Sequence, residues 1–134
     1  MSWTSSSGFC GSLSLGRLWP MTGVSITSLE VLPVFLARSL WGSAMAHRRV
    51  FFFIDNDGAR HSLIKTTTGS SSVMRVLRNL VHLQAASPSF IWYARVPSVS
   101  NIADAPFRFD SRELEQAGAK CDRVERDLLR AALE

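Results

Sequence analysis

The sequence predicts an α/β domain with a partly parallel sheet and helices on both of its faces. Two observations lead there. From Ser28 onward the patterns run helix, strand, short helix, helix, strand, helix, an alternation typical of strands joined through helical crossovers. The two strand-like runs, over residues 49–54 and 90–96, are short, aromatic and β-branched, whereas the segments between them repeat their apolar residues every three or four positions. With 134 residues, 46% of them hydrophobic, the chain suits one core and is too short for two.

The elements follow in order. Residues 1–24 are weakly patterned, with a strand-like alternation from Phe9 through Gly11 and Leu13 to Leu15. Ser28 precedes a helical pattern through Glu30, Val31, Val34, Phe35, Ala37, Arg38, Leu40 and Trp41. Pro33 fits that helix only in its first turn, and Gly42 is its expected stop. Residues 49–54 (Arg-Val-Phe-Phe-Phe-Ile) show no polar alternation, the pattern of a strand buried on both faces, so Phe51, Phe52, Phe53 and likewise Trp41 and Trp92 are expected in the core. Asp55-Asn56-Asp57-Gly58 ends that strand. A short helix is expected over residues 59–65, and the polar loop 66–72 leads to a helix over 73–86. One face of this last helix carries Val73, Val76, Leu77, Leu80, Val81 and Leu83, the other Arg75, Arg78, Asn79 and His82. After the second strand, residues 97–104 form a turn, and 111–134 read as a charged helix interrupted near Gly118. The chain thus divides into an N-terminal segment 1–24, a core 25–110 and a C-terminal helical segment 111–134.

Charge is uneven. The net charge is +4, but from Arg38 to Arg95 eight Arg or Lys residues face two acids, while from Asp104 to Glu134 six face eight. Thirteen of the fifteen basic residues are Arg, whose fork suits phosphate, although a coding bias toward Arg gives the same composition. The two cysteines, Cys10 and Cys121, are expected as free thiols of an intracellular chain, in cytoplasm or nucleus, and no Cys/His spacing suggests zinc. The first 29 residues hold no acid and are rich in Ser and Gly, as in a worn first strand or an organelle leader. No stretch reads as a membrane span, because the most apolar run, 31–46, contains Pro33 and Arg38. No histidine is paired with Ser or Cys in a hydrolytic motif.

Three acids stand where chemistry is possible. Asp55 ends a strand, and ligands of open α/β sheets bind at the carboxyl ends of strands; an Asx-turn is the alternative. Asp104 follows the second strand and also suits a helix cap, and Glu30 lies in the first helix, where the helix dipole favours an acid. Carboxylates converging from different elements are what a two-metal phosphoryl-transfer site requires.

The segment Trp92-Tyr93-Ala94-Arg95-Val96-Pro97-Ser98-Val99-Ser100-Asn101-Ile102-Ala103-Asp104-Ala105-Pro106-Phe107-Arg108 resembles the end of the ribonuclease H domain of retroelement reverse transcriptases. Phe53-Ile54-Asp55-Asn56-Asp57-Gly58-Ala59 resembles that family's strand-end Asp-Asn-x-x-Ala, and Ser28-Leu29-Glu30-Val31-Leu32 its Leu-Glu-Leu helix start. The resemblance covers about residues 25–110. It implies a ribonuclease H-like mixed sheet flanked by helices, with degenerate or incomplete first strands. It implies hydrolysis of RNA in RNA–DNA hybrids, with Glu30, Asp55 and Asp104 as catalytic ligands of Mg²⁺ or Mn²⁺. Nucleic acid, an RNA–DNA hybrid above all, would contact Asn56, Arg60, Lys65, Arg75, Arg78, Arg95 and Asn101; by charge alone, Arg48, Arg49, Arg60, Lys65, Arg75 and Arg78 suit a duplex-binding face and a plain solvated face equally. The chain would then derive from a larger reverse transcriptase polyprotein, with no membrane involved.

Departures from the family's pattern bear on activity. The family's first-strand Asp has no counterpart, since no acid precedes Glu30 and Trp3-Thr4-Ser5-Ser6 occupies the place. Arg95 stands for a frequent His, Pro97-Ser98 for Pro-Gly, and Phe107 for the Ser before Arg108. The resemblance therefore implies a degenerate or truncated enzyme; a non-catalytic nucleic-acid-binding or scaffold module and a decayed reading frame are the alternatives.

Overall fold

The computed structural model describes residues 2–5, 8–11, 26–101, 112–116, 118, 120–122 and 126–133. Their elements, in chain order, are β1 (Ser2–Ser5), β2 (Gly8–Gly11), α1 (Ile26–Met45), β3 (Arg49–Ile54), α2 (Asp57–Lys65), α3 (Ser71–Ala86), β4 (Phe90–Arg95), α4 (Arg112–Gln116), β5 (Lys120–Asp122) and α5 (Arg126–Leu133), with a single 3₁₀ turn at Ser98–Ser100. The protein is an α/β structure, as its patterning predicts.

Among the described residues the strands form two sheets. β3 and β4 pair in parallel, with Phe51 opposite Trp92 and Phe52 opposite Tyr93. β1 is central in the second sheet, antiparallel to both β2 and β5. Its register sets Trp3 opposite Cys10 on one side and Cys121 on the other. The two cysteines are therefore two strand spacings apart, about 9–10 Å, where a disulfide needs Cα atoms within about 7 Å. Their register fits free thiols.

α1 is longer than its pattern suggests. It begins at Ile26, runs through both Pro33 and Gly42 to Met45, and bends at Trp41, whose backbone is non-helical (φ −121°, ψ 19°). Pro33 lies inside the helix, where it removes the bond to the carbonyl of Leu29. Burial compensates: Val31, Leu32, Val34, Phe35, Leu36 and Ala37 are all buried, and packing outweighs local preference. Ser28 Oγ meets Ser72 Oγ at 2.7 Å and ties the start of α1 to the start of α3.

The core joins Val31, Leu32, Val34, Phe35 and Leu36 of α1 to Leu63 of α2, to Val73, Val76, Leu77 and Leu80 of α3, and to Ile54, with Phe52 and Tyr93 packed against it. The rings of that cross-strand pair stack with centroids 5.9 Å apart. All these strand residues lie on one face of the β3–β4 sheet.

The other face corrects two expectations. β3 is not buried on both faces, and no described helix covers the second one. Phe51 (61% exposed), Phe53 (67%), Phe90 (73%) and Trp92 (66%) point outward, so Phe51, Phe53 and Trp92 are not core residues. The alternation of burial along β3 is complete even though every residue from Val50 to Ile54 is apolar. The C-terminal segment differs from expectation too. It is not one interrupted helix: β5 lies between α4 and α5, after Gly118 at φ +77°. α5 returns to the core through buried Ala132, and Asn79 Nδ2 donates to the Ala131 carbonyl at 3.3 Å. No helix among the described residues is long and apolar enough to cross a membrane.

Candidate functional site

The carboxyl ends of β3 and β4 lie side by side, with Ile54 opposite Arg95 and the Val96 amide donating to the Ile54 carbonyl at 3.1 Å. The turn after β3 and the segment after β4 therefore meet. Asp55 is half-buried at this edge, and its Oδ2 accepts from Asn101 Nδ2 at 3.2 Å. The structure thus brings together two of the predicted site residues, which lie 46 positions apart in the chain.

Asp57 is held by two arginines. Arg60 Nε lies 3.2 Å from its Oδ1 and Arg95 Nε 3.4 Å from its Oδ2. These groups are substantially exposed, so the pairs contribute little stability. Their consequence is electrostatic: the one additional acid at the strand end is engaged.

Asn56 has a local role. It is the N-cap of α2, and its Oδ1 accepts from the Ala59 amide at 2.9 Å. Asn56→Ala should lower stability by about 1 kcal/mol, whereas Asn56→Asp, which keeps the accepting oxygen, should stay near wild type. Thermal unfolding checks this. A loss of nucleic-acid affinity in Asn56→Ala at unchanged melting temperature would show a ligand contact in place of a cap.

The remaining predicted residues spread outward. Lys65 is exposed at the end of α2, and Arg75 and Arg78 are exposed one turn apart on α3. Arg48 and Arg49 are exposed at the start of β3. Glu30 is half-buried in α1. Asp104 lies outside the described residues. Among the described residues no three His, Cys, Asp or Glu side chains are grouped as a metal site requires. Asp55 and Glu30 are the two described members of the acid set implied by the family resemblance. β1, where the family's first acid would stand, reads Ser-Trp-Thr-Ser.

A further charged group escaped the sequence reading of the site. Arg38 is 2% exposed and joins α1 to the α3–β4 connection. Its Nη1 donates to Ser89 Oγ at 2.7 Å, and its Nη2 donates to the Ser87 carbonyl at 2.7 Å and to Gln84 Oε1 at 3.0 Å. Ser89 Oγ in turn donates to the Met45 carbonyl at 2.8 Å. Burial lowers the Arg38 pKa from its ordinary value, opposed by the nearby Tyr93. Burial likewise raises the Tyr93 phenol, opposed by Arg38. One sequence signal points to this placement: Arg38 falls in phase with Val31, Val34 and Phe35, on the stripe that faces inward.

The chain matches no family model, no curated protein and no solved structure.

Proposed function

We propose that this chain is a nucleic-acid-binding domain of ribonuclease H-like type and retroelement origin, which holds RNA–DNA hybrids without cleaving them. The observation that supports it most directly is the fate of the charges between Arg38 and Arg95. Both acids of that stretch are engaged, Asp55 by Asn101 and Asp57 by Arg60 and Arg95. Arg48, Arg49, Lys65, Arg75 and Arg78 remain on the surface. Such a surface attracts a polyanion, and arginine forks suit its phosphates. Contacts of this kind read backbone shape rather than sequence, which suits a hybrid duplex. The expected lack of cleavage rests on the acid set: no acid among residues 1–29 matches the family's first-strand Asp, and without one a Mg²⁺ or Mn²⁺ pair would lack its bridging ligand.

Fluorescence anisotropy with a labelled RNA–DNA hybrid tests the binding. Three phosphate contacts give an affinity loss of about 40-fold between 50 and 200 mM salt. Arg75→Gln and Arg78→Gln should each weaken binding and reduce the salt slope by about one. Binding that is absent, or indifferent to salt, overturns the proposal. With Mg²⁺ or Mn²⁺ the RNA strand should stay intact; cleavage above the level of an Asp55→Asn control would show an active nuclease.

A further inference from the structure

At the opposite end of the strands from Asp55, a groove of about 930 Å³ runs along β4, between the end of α2 and the C-terminal half of α3. Its size is within the range of small-molecule sites. Its walls are largely apolar and aromatic, including Leu80, Phe90 and Trp92. Two cations line it, Arg38 and Arg49, and no acid does.

Arg38 gives the groove its chemistry. Its guanidinium donates three hydrogen bonds to protein oxygens, yet its buried Nε has no partner and no acid of the described residues pairs with it. A buried charge in this state costs free energy that a counter-anion would return. Arg49, exposed and lining the same groove, supplies a second positive charge. Two cations facing no acid match a doubly charged anion, and a phosphate monoester carries about −1.5 to −2 at neutral pH. Phe90 and Trp92 offer exposed ring surface beside it, which suits a planar base.

We propose that this groove binds a nucleotide, its phosphate monoester drawn to Arg38 and Arg49 and its base against the Phe90 and Trp92 rings. The site shares Arg49 with the hybrid-binding surface proposed above, but its test on AMP alone stands or falls without that surface. Its natural source is either a free mononucleotide or the 5′-phosphorylated end of a strand.

Titration of the full chain by calorimetry, supported by tryptophan fluorescence, tests the site with AMP, adenosine and inorganic phosphate. AMP should bind at least tenfold more tightly than either fragment, because each lacks one half of the interaction. Arg49→Gln should weaken AMP about tenfold. Ala85→Trp, which fills the groove from exposed α3, should abolish binding. Val99→Gln, on the distant 3₁₀ turn, should leave it unchanged. Both groove positions are exposed, so the variants should unfold at the wild-type urea midpoint, and the result does not depend on the fate of an Arg38 variant. A 5′-phosphorylated oligonucleotide that competes with AMP and binds more tightly than its 5′-hydroxyl counterpart identifies a strand end as the source; AMP binding without that difference identifies the free nucleotide. Equal affinity for AMP and adenosine, or AMP binding unmoved by both Arg49→Gln and Ala85→Trp, overturns the proposal.

Discussion

Leu77→Ala is expected to lower the unfolding free energy by about 2–5 kcal/mol, a large share of the roughly 5–15 kcal/mol that holds an ordinary domain together. Leu77 is buried at the centre of α3, in the cluster that α3 shares with Val31, Leu32 and Phe35 of α1, Leu63 of α2 and Ile54 of β3. Truncation removes apolar contact with several elements at once and leaves a cavity that none of them can close alone. Val81, four positions along the same helix, is half exposed, and Val81→Ala should change stability by no more than about 1 kcal/mol. Urea denaturation of the two variants decides the matter. Equal midpoints would show that α3 does not pack through Leu77 and that the shared core is wrongly placed.

That core was legible wherever its period was unambiguous. On α3, the apolar positions 73, 76, 77 and 80 are buried and the polar positions 75, 78 and 82 exposed, but Val81, which the pattern sets on the core face, is exposed, and Asn79 and Leu83 are half-buried. The boundaries of β3 also agree with the sequence reading, because Asn56 and the following Asp-Gly end the aromatic run sharply. The burial of β3 was not legible. Val50-Phe51-Phe52-Phe53-Ile54 is apolar at every position, so it carries no phase, and only the placement of α1, α2 and α3 on a single side decides that Phe52 is covered and Phe51 and Phe53 are not. β5 escaped for a different reason. Lys120-Cys121-Asp122 is too short for a period, and its pairing partner, β1, lies at the other end of the chain.

The candidate site divides in the same way. The place of Asp55 at a strand end could be read locally, since a buried-type strand followed by Asp-Asn leaves few other positions for the carboxylate. Its partner could not, because Asn101 arrives through the parallel pairing of β4 with β3. Asn56 shows the converse: as a residue type it fits a nucleic-acid contact, but its offset of three from Ala59 makes it a cap. The arginines that pair with Asp57 are separated from it by three positions in one case and 38 in the other, so only the first was within reach of local reasoning.

Arg38→Ala is expected to destabilise the protein by about 3–5 kcal/mol, for reasons that separate two roles of one side chain. The stem of Arg38 is buried within α1, so truncation to alanine opens a cavity as a large apolar residue would. The guanidinium holds Ser87, Gln84 and Ser89, and its loss leaves the Gln84 side-chain oxygen and the Ser87 carbonyl without this donor. Other bonds limit the damage to the connection: Gln84 Nε2 still donates to the Ser89 carbonyl at 2.6 Å, the His47 amide to Pro88 at 2.7 Å, and Ser87 Oγ to Gly42 at 3.1 Å. Arg38→Met keeps most of the stem volume and removes a desolvated charge that no carboxylate neutralises. Replacing buried charge by well-packed apolar volume is often close to neutral, so the methionine variant should recover at least half of the alanine loss. Arg38→Lys keeps the charge but has no planar fork to reach three acceptors, and should rank between the two. Urea midpoints of the three variants give the order Met, Lys, Ala from most to least stable. If Lys is the most stable of the three, the positive charge itself holds the fold together, and an acid must lie close enough to Arg38 to compensate it.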